Sequence, residues 1–381
     1  MLAEMSDDPR LDISVPANLL PADGRFCSGP SKVRAAQADA VAAAGTTLLG
    51  TSHRQAPVKN LVGRVRDGMA ALFGLPDGYE VLLGNGGTSL FWDAATFHLI
   101  EKKSQHLTFG EFSSKFASAA KAAPFLDDPQ VIEAPVGTRA DAVGTPGVDL
   151  YALTHNETST GVVAPVVRPT GADAGAIVAV DATSGAGGIL VDPNEFDCYY
   201  FAPQKCFGAD GGIWLALCSP AAIARIERIS ASGRWTPAIL DLAQAVTNSR
   251  ANQTLNTPAI ATLILLAEQL DWMLSNGGLS WTASRSEKSS SILYGWAEAS
   301  PFATPFVANP EERSPVVGTV DIDGFDANDL CQVLRANGVF DTDSYRKLGR
   351  NQIRVGMFPS VEPDDVAALC ATIDYIAERL S

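Results

Sequence analysis

From about Tyr79 onward the chain alternates short apolar runs with stretches whose apolar residues recur at helical spacing. The runs 80–83, 106–109, 130–134, 150–154, 176–180, 198–201 and 212–217 predict strands. Several are apolar at every position, the pattern of strands buried on both faces of a mostly parallel sheet. After Pro258 the apolar stretch 259–274 predicts a long helix leading into a second region. That region offers strands at 316–322 and 352–357, each followed by a helix. The first of these helices, near 328–337, stops at Gly338, a residue suited to the turn that closes a helix. In the last one, Val366, Leu369, Ile373, Ile376 and Leu380 fall at alternating spacings of three and four and share one face. The expected architecture is α/β: an N-terminal arm over 1–30, a large mostly parallel-sheet domain over 31–256, and a linking helix with a smaller α+β domain over 257–381.

A chain of 381 residues is long enough for two such domains. Its formal net charge of -15 argues against binding nucleic acid or an anionic membrane through bulk charge. The longest apolar run, near 259–267, is far short of the ~20 residues a membrane span needs. Residues 1–8 carry neither a basic segment nor an apolar core, so no leader is expected and the protein is expected to be cytoplasmic. The six cysteines are scattered without a C-x-x-C pair and read as reduced core residues. With four histidines and no ligand spacing, no metal site is expected.

Three segments carry chemistry. The apolar run Ile177-Val178-Ala179-Val180 ends in Asp181, and the ends of parallel strands are where α/β proteins place ligands; alone, Asp181 could equally cap a turn. Lys205 follows the run Tyr199-Tyr200-Phe201 in the segment Ala202-Pro203-Gln204-Lys205-Cys206-Phe207. Burial there would push its pKa down and favour the neutral amine that Schiff-base chemistry requires; the plain alternative is a snorkelling surface lysine. Gly84-Asn85-Gly86-Gly87-Thr88-Ser89 lies between a predicted strand and a helical stretch at 90–101, and such a turn lets backbone N–H groups meet a phosphate. That loop also nearly spells a dinucleotide fingerprint, with Glu111 as a candidate ribose-binding acid, or is simply a tight turn.

With these residues in place, and with Phe26-Cys27-Ser28-Gly29-Pro30, Ser52-His53-Arg54, Asn156-Glu157-Thr158, Asn256-Thr257-Pro258 and Arg354 in order along nearly the whole chain, the sequence resembles the phosphoserine aminotransferase family, in class V of the fold-type I pyridoxal-phosphate enzymes. The resemblance implies pyridoxal 5'-phosphate held on Lys205, with Asp181 facing its ring nitrogen. It implies that Gly87 and Thr88 give N–H groups to the cofactor phosphate with Gln204 nearby, and that Thr158 bonds the ring hydroxyl. Asn256 and Thr257 would reach that phosphate from the neighbouring subunit of a homodimer. His53 and Arg54 would hold the substrate phosphate, and Arg354 the α-carboxylate. The sequence departs from the family in two places. Phe112, in Gly110-Glu111-Phe112-Ser113, stands where a tryptophan usually stacks on the cofactor, and Arg346 or Lys347 would replace a His-Arg pair at the phosphate. Asn256-Thr257-Pro258 also reads as a helix start, with Thr257 as N-cap and Pro258 in the first turn.

The implied reaction is transamination between O-phosphoserine and 2-oxoglutarate, with glutamate as amino donor in serine biosynthesis, and pyridoxine biosynthesis as a further setting. The first rival is another class V aminotransferase of the alanine/serine–glyoxylate type. A cysteine desulfurase is less favoured, because Cys331 and Cys370 fall on predicted helices. A dinucleotide-dependent oxidoreductase and a cofactor-binding regulator stand further off.

Overall fold

The computed structural model describes residues 12–380; the leader reading of residues 1–8 and the start of the arm lie outside the described residues. Helices α1 (Ala35–Ala43) and α2 (Ala56–Phe73) precede strand β1 (Glu80–Asn85). Then follow α3 (Thr88–His98), β2 (Ser104–Thr108), α4 (Ser113–Ala122), β3 (Gln130–Glu133), β4 (Leu150–Thr154), the short strands β5 (Asn156–Glu157) and β6 (Val162–Val163), and β7 (Ile177–Asp181). The large unit ends with β8 (Cys198–Phe201), β9 (Ile213–Cys218), α5 (Pro220–Ala231), α6 (Leu242–Arg250) and α7 (Ile260–Ser275). The smaller unit holds α8 (Gly278–Ala299), β10 (Ala303–Pro305), β11 (Val317–Ile322), α9 (Ala327–Ala336), β12 (Gln352–Gly356) and α10 (Pro363–Leu380).

Seven strands form one sheet in the order β1-β9-β8-β7-β4-β2-β3. The run from β8 to β3 is parallel. Strand β9 is antiparallel to both β8 and β1. Every residue of β2, β4, β7, β8 and β9 is buried; β4, β7, β8 and β9 are mainly apolar, whereas β2 buries the polar Ser104, Gln105 and His106 by pairing Ser104 with His106 and Gln105 with Gln130, and β3 at the edge alternates. One face packs against α2 and α7 through Val58, Val62, Leu263 and Leu266. The other packs against α3, α5 and α6 through Phe91, Ile226 and Val246. Ser219 caps α5 by accepting from the Ala222 N–H, and Pro220 needs no acceptor in that first turn.

The smaller unit is an antiparallel sheet, β10-β11-β12, covered by α8, α9 and α10. Val366, Leu369, Ile373 and Ile376 line its core, with Leu380 at the margin, and Val15 and Phe26 from the N-terminal arm close it. Helix α7 gives Leu263, Leu266, Leu270 and Met273 to the large core, and the chain passes to the smaller one at α8 through Leu293 and Ala297. The sequence did not announce α8, whose serine-rich 22 residues lack a sustained apolar stripe. Two helix starts differ from expectation. Helix α3 begins at Thr88, two residues before 90. Helix α7 begins at Ile260 with Ala259 at its cap, so Thr257 is not its N-cap. The Thr257 hydroxyl is instead engaged with His53 Nδ1, and its carbonyl accepts from Asn85 Nδ2. Among the described residues no helix is long and apolar enough to cross a membrane.

Candidate active site

The carboxyl ends of β4, β7 and β8 open side by side onto a cavity of about 490 Å³. Lys205, Asp181, Gly87, Thr88, Phe112 and Thr158 line it, and Gln204 joins them. Lys205 follows β8 in a turn closed by the Gly208 N–H donating to its carbonyl. Its side chain is 9% exposed. Nζ donates to the Ser28 carbonyl at 2.6 Å. Burial, and then the Arg354 guanidinium, hold its pKa down at about 8. Gly29 packs so closely that a Cβ there would sit 2.2 Å from Nζ, and its φ of +138° suits glycine.

Asp181, the last residue of β7, is 6% exposed. Oδ1 accepts from the Thr183 N–H at 3.0 Å and the Thr183 hydroxyl at 2.6 Å. Oδ2 accepts from Trp92 Nε1 at 2.9 Å. Burial pushes its pKa up while these donors pull it back. A cationic ring nitrogen is the partner such a buried acid suits.

Between β1 and α3 the chain turns at Gly86, whose φ of +103° an L side chain rarely adopts. Gly87 continues extended into the first turn of α3. Among the described residues the N–H groups of Gly87, Thr88 and Ser89 meet no acceptor, and the first turn holds no acidic side chain. Free N–H groups at a helix N-terminus are an anion cradle.

Phe112 is set in place by Glu157. One oxygen of this buried carboxylate accepts from the N–H groups of Phe112 at 3.0 Å and Ser113 at 2.8 Å. The other accepts from the Ser159 N–H and hydroxyl. Gly110 leaves the room, since a Cβ there would lie 2.4 Å from Glu157 Cγ. Lys205 Nζ lies 5.9 Å from the centre of the Phe112 ring. The Thr158 hydroxyl donates to Ser184 Oγ at 2.8 Å, and Asn156 Nδ2 donates to the same oxygen. Arg354, in the middle of β12, donates to the Thr158 carbonyl at 3.3 Å. Among the described residues its Nε and Gln204 Oε1 are buried without a partner. A buried guanidinium with a spare N–H suits a carboxylate.

The remaining candidates are not in the lining of this cavity, although Asn256 and Thr257 are tied to Asn85 of the glycine loop. His53, Arg54, Asn256 and Thr257 form their own cluster. Thr257 Oγ1 lies 3.1 Å from His53 Nδ1, Arg54 donates to Gln253, and the Asn256 N–H donates to Asn85. Burial, with the Arg54 charge, lowers the His53 pKa. Arg346 and Lys347 lie exposed on a short turn, and Lys347 Nζ is bound by Glu111. That pairing removes Glu111 from the glycine loop and with it the ribose acid of the dinucleotide reading. Cys331 and Cys370 are buried on α9 and α10, with burial pushing both thiols up.

Sequence reading missed Trp92, Thr183, Ser184 and Glu157. Trp92 was within reach, four residues after Thr88 on a helix and therefore on the same face. Thr183, two residues past Asp181, is a common place for a local side-chain bond.

A buried amine, a buried acid, an anion cradle and an aromatic plate around one cavity fit an aromatic aldehyde that carries a phosphate. The model of the Aminotransferase class-V family matches residues 30–341. The chain is 60% identical over 370 residues to the phosphoserine aminotransferase of a Nocardioides species, covering 97% of this chain and 99% of the relative. It is 63% identical over 370 residues to a Mycolicibacterium vanbaalenii protein provisionally given that name, covering 97% and 99%. The crystal structure of a phosphoserine aminotransferase from Cytophaga hutchinsonii superposes with a TM-score of 0.84 at 23% identity, over 92% of this chain and 99% of the other.

Proposed function

The chain belongs to the class V aminotransferase family, and we propose that it transfers an amino group between O-phosphoserine and 2-oxoglutarate in serine biosynthesis, with pyridoxal 5'-phosphate as cofactor. The observation that carries the reading is the meeting, in one cavity, of the Lys205 amine, the Asp181 carboxylate and the free N–H groups of α3. When bound, pyridoxal phosphate supplies an aldehyde for amines and a ring that withdraws electrons. Lys205 would hold it through Nζ, and the same amine, when neutral, would be the base for the substrate Cα proton. Asp181 keeps the ring nitrogen protonated. Gly87 and Thr88 would hold the cofactor phosphate with Gln204 beside them, Thr158 would hold the ring hydroxyl, and Phe112 would supply the aromatic face for the ring.

Both substrates are polyanions, and the chain has a net charge of -15, so cations must be concentrated locally. Arg354 takes the α-carboxylate common to both. His53 and Arg54 take the distal group, with Arg346 and Lys347 as further phosphate ligands. The contact between Thr257 and His53 groups these residues and Asn256 on one patch of the subunit, outside the cavity lining and joined to the glycine loop at Asn85. This supports a homodimer in which the patch completes the neighbour's site. A cytoplasmic location accords with the absence of a membrane-spanning helix among the described residues.

The test is absorption spectroscopy of the purified, cofactor-loaded protein before and after phosphoserine, followed by turnover with phosphoserine and serine. A visible band that phosphoserine changes, together with preference for phosphoserine, is expected. No band sinks the cofactor assignment. Equal use of serine would turn the reading to the alanine/serine–glyoxylate type.

A further inference from the structure

Helix α3 meets the site at two points. Thr88, its first residue, belongs to the anion cradle, and Trp92 follows about one turn later on the same face. Trp92 is 7% exposed, and its Nε1 donates to Asp181 Oδ2 at 2.9 Å. The opposite oxygen of Asp181 is held by Thr183. The Thr183 hydroxyl donates to Asp181 and so accepts from Thr88 Oγ1 at 2.8 Å. Both routes out of the carboxylate therefore return to α3. An indole N–H can only donate, and its bond strengthens when the acceptor is ionised.

We propose, resting on the function proposed above, that Trp92 is a positioning residue: its N–H fixes the Asp181 carboxylate to α3, so that one helix sets the spacing between the phosphate cradle and the acid that faces the ring nitrogen. When the amine of Lys205 is free, the ring would be held by its phosphate and by the neutral contacts of Thr158 and Phe112, which restrain its tilt weakly. An acid fixed to the same helix opposes the tilt, because its charge-assisted bond to the ring nitrogen is good in one geometry only.

Trp92→Phe keeps an aromatic ring in the buried place and removes the donor. Cofactor-free protein is titrated with pyridoxal phosphate and followed by absorption. The dissociation constant is expected to rise about tenfold, the scale of one lost bond to a charged group. The pH at which the visible band of the loaded enzyme changes should move by about half a unit or more, and kcat should fall while KM holds within about twofold. In an Asp181→Asn background the same substitution should change the dissociation constant less than about twofold. An unchanged dissociation constant and pH response in Trp92→Phe, or an equal cost in both backgrounds, overturns the proposal and leaves the aminotransferase reading standing. Wild-type protein that gives no band overturns both. If Trp92→Phe fails to fold by circular dichroism, Trp92→Met is measured in its place. Failure of both to fold would also overturn the proposal, because the indole would then serve the core.

Discussion

The guanidinium of Arg354 is, after burial itself, the strongest influence holding the Lys205 amine down at about 8. If Arg354 takes a substrate carboxylate and Lys205 is the base, as proposed, the same cation would also set the protonation of the base. A carboxylate paired with Arg354 would weaken that influence and make the amine more basic.

The rate at which cofactor-free protein takes up pyridoxal phosphate should rise with pH through about 8, because only the neutral amine adds to the aldehyde. In Arg354→Gln the midpoint should move upward, toward the ordinary lysine value, because a positive neighbour has been removed. Stopped-flow absorption across pH 6.5 to 10 measures both midpoints. A profile that does not move in Arg354→Gln would separate the two residues electrostatically.

Stability carries the same shift. A lysine whose folded pKa lies near 8, below the 10.5 of the unfolded chain, releases its proton on folding. Its contribution is fully present above 10.5 and is lost as pH falls through 8. Cofactor-free wild type should therefore gain on Lys205→Met as pH rises from 8 to 10.5, by roughly 3 kcal/mol in all. Urea unfolding of both proteins at pH 7.5 and 10 checks the sign. A constant difference would show that the amine titrates normally in the fold.

The central strands β4, β7, β8 and β9 were legible because burial on both faces favours apolar residues, as in Ile177-Val178-Ala179-Val180, whereas the start of β2 was not, because Ser104, Gln105 and His106 are buried polar residues. Lys205 and Asp181 were legible because a charge at the end of such a run has no core role. The clamps around them were not. Glu157 bonds backbone N–H groups 44 and 45 residues away, and Trp92 reaches Asp181 across 89, so only the closed fold makes them neighbours. The start of α7 misled for a related reason. Thr257 has a side chain fit to cap a helix, but His53 and Asn85 engage the residue instead.

Glu157→Gln should show what the clamp on Phe112 is worth. Each oxygen of Glu157 accepts two bonds, and an amide must turn its NH2 toward one of those donor pairs. Facing Ser159 is the cheaper choice, because that hydroxyl can rotate to accept from the NH2, and the Ser159 N–H is then the one buried donor left unpaired, at about 1–3 kcal/mol. Thermal unfolding should reveal a loss of roughly 1–3 kcal/mol, and cofactor affinity should fall as the bonds that hold Phe112 lose their charge. Were affinity unchanged in a destabilised protein, the clamp would be structural only.

Lys347 decides whether the turn holding Arg346 takes part in phosphate recognition. Its ammonium is already bound by Glu111, one residue before the ring plate Phe112. If Lys347 is a phosphate ligand, phosphoserine must win it from that carboxylate, and the carboxylate acts as a competitor for the incoming anion. Glu111→Gln removes the competing charge and keeps the shape, so it should lower KM for phosphoserine severalfold and leave serine unaffected. Lys347→Ala should raise KM for phosphoserine by a similar factor. Both effects should shrink as salt is raised, because the pair is exposed and screened. Steady-state kinetics with phosphoserine and serine at low and high salt measures all of these. A Glu111→Gln variant that leaves KM for phosphoserine unchanged would show that Lys347 only ties the turn to the large domain, and that phosphate recognition rests on the His53–Arg54 patch.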